Sequence, residues 1–369
     1  MAVPFLDLKR QYLELKPEIE QKLLQVAESQ RYILGPEVEA FEKESAIYLG
    51  VKHAVAAASG TDALILSLKA AGVGRGDEVL TSDYSFFSSA GVISWVGANP
   101  RFVDIAKHSF NLDPAKIEEK ITRKTKALLV IHLFGEPAEM EPIMKIAKKH
   151  KLAVIEDACQ ALGSEYKGTK IGGIGDATCY SFYPTKVLGC FGDGGLVVTN
   201  SDKIHQAIQD LRVHGAKGTD DRRTVGTNSR LDEIQAAVLR IKLRRLEKWI
   251  AARRNCADRY RQLLAGAPVE LPEDKAHLRH TYNSFVIRAE KRDALLAHLR
   301  QKEIGCAIYY SRPFHLMTCF KPLVQKTGKF PQAVKASKSS LALPIFPELE
   351  QREIETVAAE VRKFYLENY

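Results

Sequence analysis

The chain has 369 residues, of which 45% are hydrophobic and 27% are charged, a composition that suits one large core and a second, smaller domain. Its apolar runs, such as residues 127–131, are too short to cross a bilayer, and the first residues lack the apolar core of a signal peptide, so we expect a cytoplasmic protein. The six cysteines form no CxxC pair, which indicates reduced thiols and neither disulfides nor a metal site.

The formal net charge of +9 is spread along the chain, and its densest clusters lie in predicted helices. Such clusters are most often the solvent-facing side of a helix. The sequence contains no nucleic-acid-binding motif. The charge therefore favours an anionic small molecule as the ligand, and we expect neither nucleic acid nor a membrane as a partner.

The pattern of apolar residues over residues 12–156 predicts two helices, followed by strands and helices in alternation. Helical spacing of apolar residues predicts helices over residues 12–28 and 37–48, separated by a Gly-Pro break. The alternation that follows predicts a parallel sheet covered by helices. The predicted strands are residues 53–58, 78–81, 101–105, 126–134 and 152–156, and the predicted helices between them are residues 63–71, 85–96, 113–121 and 140–150.

Polar and aromatic residues that follow these strands are candidates for ligand contacts, because ligands bind at the carboxyl ends of strands in such sheets. Thr61 lies in a polar turn that begins a helix, where free backbone N–H groups can bind a phosphate, although a simple helix cap is the alternative. Phe86 follows the second strand and is either a ligand contact or an ordinary core residue. Asp157, with a helix cap as its alternative, and Gln160 follow the strand at residues 152–156.

A single lysine, Lys186, lies between two predicted strands at residues 178–182 and 196–198. Glycines at positions 189, 192, 194 and 195 follow it, and such a density indicates a backbone that turns tightly or approaches a ligand closely. The pattern is typical of a buried, reactive amine. An exposed lysine in a hairpin loop is the alternative.

The pattern changes beyond residue 230, where residues 231–264 predict a long, highly charged helical stretch. A second set of elements follows, with strands predicted at residues 282–287 and 305–310 and helices at residues 292–302 and 351–366. We therefore predict two domains, a large one over residues 1–245 and a smaller C-terminal α/β domain over residues 246–369.

Four motifs occur in one order along the chain: GTDAL at 60–64, EDACQ at 156–160, SFYPTK at 181–186 with GDGG at 192–195, and NSRLDEIQAA at 228–237. In these motifs the chain resembles the DegT/DnrJ/EryC1/StrS family of sugar aminotransferases, which use pyridoxal 5′-phosphate (PLP). The resemblance runs from FLDLKRQY at the N-terminus to the last helix. It implies a PLP-dependent transferase of fold type I, with a helix-covered, mostly parallel sheet, and a homodimer that shares its active sites between subunits.

The resemblance also implies roles for individual residues. Lys186 matches the lysine that holds PLP covalently, Asp157 the carboxylate at the pyridine nitrogen, and Gln160 the residue near the ring hydroxyl. The chemistry needs these types, because an amine can both bind the cofactor and move a proton, and a protonated pyridine ring is the better electron sink. The phosphate contacts that it implies are Thr61, Ser181 and, from the partner subunit, Asn228. It also implies that Phe86 stacks on the cofactor ring and that Gly60 contacts the cofactor.

Residues 309–313 read YYSRP, where relatives commonly have HYPxP in a region that helps to form the pocket for the nucleotide sugar. We therefore predict Tyr309, Tyr310, Arg312 and His315 as substrate-binding residues, with Arg312 as a candidate cation for a uronate. The implied reaction transfers an amino group from L-glutamate, which becomes 2-oxoglutarate, to a nucleotide-linked keto sugar. The GDGG loop is typical of relatives that aminate C3 of UDP-linked 3-keto uronic acids, for O-antigen and lipopolysaccharide, or of dTDP-linked 3-keto-6-deoxyhexoses, and C4 amination is the alternative.

Two further functions differ from amino transfer. A sugar dehydratase of the same family would have histidine in place of Lys186. A non-catalytic regulatory protein on the same fold would not need the lysine, the aspartate, the glutamine and the phosphate contacts together. The sequence therefore favours the aminotransferase.

Overall fold

The computed structural model describes residues 1–216, 220–324 and 329–368. In chain order its strands are β1 (His53–Ala57), β2 (Glu78–Ser82), β3 (Asn99–Val103), β4 (Thr125–Ile131), β5 (Ala153–Asp157), β6 (Glu165–Tyr166), β7 (Thr169–Lys170), β8 (Ala177–Ser181), β9 (Gly195–Thr199), β10 (Val269–Glu270), β11 (Leu278–Arg279), β12 (Phe285–Ala289) and β13 (Ser340–Leu343). Its α-helices are α1 (Leu8–Ser29), α2 (Pro36–Leu49), α3 (Gly60–Ala70), α4 (Ser88–Trp95), α5 (Met140–His150), α6 (Asp202–Leu211), α7 (Glu233–Leu243), α8 (Leu246–Leu263), α9 (Arg292–Gln301), α10 (Lys321–Val324), α11 (Pro331–Ser339) and α12 (Gln351–Asn368).

A seven-stranded sheet in the order β1-β9-β8-β5-β4-β2-β3 forms the centre of the protein. The strands from β8 to β3 pair in parallel, and β9 is antiparallel to both β8 and β1. The predicted fold, an α/β protein with a mostly parallel sheet, is therefore confirmed. Because β1 and β8 run in the same direction, Ala57 and Ser181 both lie opposite Gly195, and the ends of β1, β8 and β5 reach the same edge.

Each face of the sheet is buried by a different set of helices, because successive side chains of a strand point to opposite faces. Leu128 of β4 and Val154 of β5 belong to the core on one face, which α1, α2, α5 and α7 cover. Leu129 and Ile155 belong to the core on the other face, under α3, α4 and α6. Burial on both faces explains why these strands are continuously apolar.

The C-terminal residues form a separate layer. Strands β10, β12 and β13 make a three-stranded sheet, whose apolar residues cluster with those of α8, α9 and α12. The helical stretch predicted over residues 231–264 is interrupted at Arg244 and Arg245, where α7 ends and α8 begins. This break coincides with the predicted domain boundary near residue 245, and the division into two domains stays a prediction.

The structure corrects several predicted elements. The helix predicted at residues 113–121 is instead two short 3₁₀ helices, Pro114–Lys116 and Glu118–Lys120. The strand predicted at residues 305–310 is wrong, because only Ala307 pairs with a strand, at Ala342, and the backbone N–H of Tyr310 donates to the Tyr84 hydroxyl instead. Helices α6 and α11, the hairpin β6–β7 and strand β13 were not predicted.

The structure also reports on the thiols, the metal sites and the membrane. All six cysteines are free thiols, and four of them are buried. Within the described ranges, no cluster of three or more His, Cys, Asp or Glu side chains could hold a metal ion. A search of the same residues finds no helix with the length and apolar character that a membrane crossing requires.

Candidate active site

A cavity of about 710 Å³ opens at the carboxyl edge of the central sheet. The strand ends meet here, as the polar residues after the predicted strands suggest. Of the residues predicted to bind the cofactor, those that line the cavity are Gly60, Thr61, Phe86, Asp157, Gln160, Ser181 and Lys186.

Lys186 lies in a turn just after β8, where its backbone N–H donates to the carbonyl of Tyr183 at 2.9 Å. Among the described residues, no hydrogen bond or ion pair reaches its Nζ. Burial lowers the pKa of Lys186, although the nearby Cys159 and Asp157 act in the opposite direction. A lysine with a lowered pKa and no partner is a suitable nucleophile, because more of its amine is neutral near pH 7.

Asp157 is the last residue of β5, and it is 5% exposed. Its carboxylate accepts a hydrogen bond from the Ser89 hydroxyl at 2.7 Å and another from the backbone N–H of Cys159 at 3.2 Å. These two donors satisfy oxygens of a carboxylate that is buried from water. Ser89 was missed by sequence reasoning, although it lies three residues beyond the Phe86 that was predicted.

The side-chain amide of Gln160 is held at both ends. Its Oε1 accepts from the backbone N–H of Phe134 at 2.9 Å, and its Nε2 donates to the Tyr310 hydroxyl at 3.0 Å. Since an amide nitrogen carries two hydrogens, one of them is left for a ligand oxygen. The orientation of this amide is therefore fixed before a ligand binds.

The N-terminus of α3 forms another part of the cavity wall. The Ser59 side chain accepts from the backbone N–H of Asp62 at 3.0 Å, so Ser59 is the helix cap. Thr61 faces the Ser88 hydroxyl, with 2.9 Å between their oxygens. The first N–H groups of an α-helix have no partner within the helix, and together with these hydroxyls they suit a phosphate.

The glycines of the Lys186 loop are needed because neighbouring backbone segments approach each other closely. A Cβ on Gly189 would lie 2.3 Å from the carbonyl oxygen of Pro184, and a Cβ on Gly195 would lie 2.2 Å from the carbonyl oxygen of Ser59. Both distances are far too short for any side chain. The Gly189 carbonyl also accepts a hydrogen bond from Lys242 Nζ at 2.7 Å, which connects the loop to α7.

Phe86 is 55% exposed, and part of that surface lines the cavity. It is therefore not the ordinary core residue that was the alternative. The centre of its ring lies 6.4 Å from that of Tyr310. An exposed aromatic ring in this position can provide an apolar surface for a flat ligand.

Three of the predicted site residues do not line the cavity. Arg312 and Asn228 are exposed on the surface, and the backbone of Asn228 forms an isolated bridge with Val213. His315 is turned toward Asp83, whose Oδ2 lies 2.5 Å from the histidine Nδ1. Of the four predicted substrate residues, only Tyr309 and Tyr310 line the cavity.

The donor set of the cavity fits PLP. It contains a helix N-terminus for the phosphate, a carboxylate held by two donors for the pyridine nitrogen, and an amine without a partner. When bound, PLP supplies an electron sink for the carbon that loses or gains a proton. Lys186 and Asp157 would hold the cofactor, and Lys186 Nζ is the group that can move that proton.

Comparisons with known proteins identify the family of the chain. The model of the DegT/DnrJ/EryC1/StrS aminotransferase family matches residues 13–362. A "Pleiotropic regulatory protein" of Geobacillus stearothermophilus is 45% identical, over 99% of each chain, and a dTDP-3-amino-3,4,6-trideoxy-alpha-D-glucose transaminase of Streptomyces venezuelae is 41% identical, over 98% of this chain and 96% of the relative. A crystal structure of DesV from S. venezuelae has a TM-score of 0.96 at 41% identity, over 98% of both chains. The chain therefore belongs to the DegT/DnrJ/EryC1/StrS aminotransferase family and is a PLP-dependent aminotransferase.

Proposed function

We propose that the enzyme transfers the amino group of L-glutamate to C3 of a nucleotide-linked 3-keto sugar. The acceptor is a UDP-linked 3-keto uronic acid or a dTDP-linked 3-keto-6-deoxyhexose, used to make a surface polysaccharide or a related sugar. The observation that carries the proposal is the unpartnered amine of Lys186 beside Asp157 in a cavity of about 710 Å³. That volume lies within the usual range for small-molecule sites.

Support for C3 comes from the relative of S. venezuelae, which is named as a transaminase of a 3-amino sugar. The GDGG sequence at 192–195 agrees with that branch of the family. The loop from Lys186 to Gly195 lies beside the amine, so its bulk would influence which sugar carbon comes within the roughly 3–3.5 Å that reaction requires.

In this proposal each residue has a defined task. Lys186 Nζ removes a proton from the amino acid carbon and later delivers one to the sugar carbon. Asp157 pairs with the protonated pyridine nitrogen of the cofactor ring. Gln160 orients the ring, and Phe86 covers one face of it. Asn228 of the partner subunit completes the phosphate site, so the active unit is a homodimer.

The reaction run in reverse provides the test. Purified enzyme with 2-oxoglutarate should deaminate nucleotide-linked 3-amino sugars, with formation of glutamate measured by chromatography. Lys186→Ala should abolish this turnover and the visible absorption of bound PLP, while far-UV circular dichroism stays unchanged. Turnover of 4-amino sugars with none of 3-amino sugars would show that the enzyme is instead C4-aminating.

A regulatory role is the second candidate, because a relative 45% identical to the chain has the name "Pleiotropic regulatory protein". A purely regulatory protein could bind PLP, but no amino donor would change the absorption of that PLP. Loss of the visible absorption band of PLP on addition of glutamate, and its return with 2-oxoglutarate, would contradict a purely regulatory role.

A further inference from the structure

Arg253 of α8 is a buried cation on the cavity wall that the functional assignment leaves unused. It is 3% exposed and lines the cavity together with Asn283, Ser284 and Ile345. Among the described lining residues, Lys186 and Arg253 are the Lys or Arg side chains. The cavity therefore contains a permanent positive charge in addition to the amine that the reaction uses.

The hydrogen bonds of Arg253 leave one edge of its guanidinium free. Its Nη1 donates to the backbone carbonyls of Tyr282, at 3.1 Å, and Ile345, at 2.9 Å. Its Nε is buried without a partner, and no hydrogen bond to Nη2 occurs within the described part of the chain. Nε and Nη2 form one edge of the planar guanidinium. On this edge, one N–H from each nitrogen points in the same direction, and the pair matches the two oxygens of a carboxylate.

A second unpartnered polar group lines the same cavity. Asn283 Oδ1 is buried without a hydrogen bond, and its Nδ2 contacts the Ser284 hydroxyl only at 3.5 Å. Rotation of the amide by half a turn exchanges the oxygen and the nitrogen, which places an N–H donor there instead. Asn283 and Ser284 can therefore add donors to those of Arg253.

Burial of an unpaired charge is costly, and the protein provides no direct counterion. Among the described residues, no carboxylate lies within 4.0 Å of the Arg253 guanidinium, and burial lowers its pKa to about 10, against a weaker opposing effect of Glu348. A buried arginine usually has a carboxylate or phosphate partner. A ligand carboxylate would supply that partner and accept the N–H of Nε and one N–H of Nη2.

We propose that Arg253, with Asn283 and Ser284, forms a subsite of the cavity that binds a substrate carboxylate. The proposal rests on the proposed function and adds to it the part of the substrate that is recognised. The carboxylate has two possible sources, the amino donor with its keto acid product, or a uronate acceptor sugar. For the uronate, Arg253 replaces Arg312, which lies outside the cavity.

Binding to the holoenzyme tests the subsite without turnover. Arg253→Lys keeps the charge and a contact to a carbonyl but loses the paired N–H groups. By calorimetry we expect it to weaken the binding of a carboxylate about 10- to 100-fold, the effect of a lost hydrogen bond between charged groups. Weaker binding of 2-oxoglutarate assigns the site to the amino donor, and weaker binding of UDP-glucuronate with unchanged UDP-glucose assigns it to the sugar.

The neighbouring Arg254→Lys is the matched control, because Arg254 lies in the same helix and donates to the carbonyl of His280, away from the cavity. If Arg253→Lys does not fold, as judged by melting temperature and bound PLP, Ser284→Ala replaces it, with binding of the carboxylate about 3- to 10-fold weaker. Folded variants that bind both carboxylate ligands as the wild type does would overturn the subsite. Absence of amino transfer by the wild type would reject the proposed function alone, since the binding measurements do not depend on it.

Discussion

Asp157 lies at the buried end of β5, where the Ser89 hydroxyl and the Cys159 backbone N–H donate to its carboxylate. Ser89→Ala removes the shorter of these bonds and leaves one oxygen of the carboxylate without a donor. We expect kcat/KM for amino transfer to fall about 10-fold, since a hydrogen bond to a charged group contributes about 1.5–3 kcal/mol and the cofactor ring compensates for part of it. Steady-state kinetics with glutamate would measure the change.

Ser94→Ala is the control for this substitution, because Ser94 lies on the same helix but is exposed. It should leave kcat/KM unchanged. A Ser89→Ala enzyme with the kinetics of the Ser94→Ala enzyme would mean that Ser89 does not support Asp157.

The site residues that sequence could predict are those that follow a strand closely. Asp157, Gln160 and Lys186 lie within a few residues of a strand end, and their positions relative to the sheet edge can be read from the sequence. Arg253 could not be predicted in this way. Its charge resembles the solvated face of a helix, and its hydrogen-bond partners lie 29 and 92 residues away in the chain.

The loop after β8 depends on close contact between backbone segments. Gly189→Ala would place a Cβ 2.3 Å from the Pro184 carbonyl oxygen, so the turn that carries Lys186 must shift. We expect the free energy of unfolding in urea to fall by about 2–3 kcal/mol, the usual cost of forcing extra volume into a packed site. Bound PLP, measured by its visible absorption, should fall as well.

Gly74→Ala provides the comparison, because a Cβ at Gly74 meets no atom within 4 Å. This variant should keep wild-type stability to within about 1 kcal/mol. Equal stability of the two alanine variants would show that the Lys186 loop tolerates the added methyl group.

Lys242 of α7 donates a hydrogen bond to this loop. Its titration makes the free energy of unfolding depend on pH. It is 4% exposed, and burial lowers its pKa from 10.5 to about 8. Below pH 8 the folded protein must hold a buried charge, and between pH 8 and 10.5 the folded state has released a proton that the unfolded state retains. The free energy of unfolding should therefore rise over this interval, by up to about 3 kcal/mol from this residue alone.

Urea unfolding at several pH values measures this effect by difference. Lys242→Met should remove the rise, whereas Lys248→Met, at an exposed position in α8, should keep it. Parallel pH curves for the wild type and Lys242→Met would refute the assignment.

At the level of elements, the periodicity of apolar residues predicted the strands of the central sheet and most of the helices around it. It failed where tertiary contacts determine the conformation of the backbone. Residues 305–310 are apolar and aromatic enough for a strand. They pair only at Ala307, because the hydroxyl of Tyr84 accepts the N–H of Tyr310 and donates to the carbonyl of Tyr309. Such a contact between residues more than two hundred positions apart leaves no local signal.

The whole molecule has an exposed apolar surface near the fourth motif. Ile33 is 46% exposed and Ile234 is 39% exposed. They are close together, because Ile33 pairs with Asp232 and the backbone N–H of Glu233 donates to the carbonyl of Tyr32. Clustered exposed apolar residues are typical of an interface between proteins, which agrees with the proposed homodimer.

Asn228 lies in this motif and does not line the cavity of its own chain. If Asn228 of the partner subunit binds the cofactor phosphate, two inactive variants should complement each other. In a mixture of Lys186→Ala and Asn228→Ala chains, each mixed dimer has one site in which both residues are intact. Random exchange makes about half of the dimers mixed, so activity should reach about a quarter of the wild-type value.

The same two variants distinguish a shared site from a site within one chain. If Asn228 served its own subunit, every site in the mixture would lack one of the two residues. Activity would then stay at the level of the unmixed variants after subunit exchange, which native mass spectrometry of a tagged chain would verify. Recovery of activity only after exchange requires that Lys186 and Asn228 act together across the interface, because no other arrangement of the two substitutions restores a complete site.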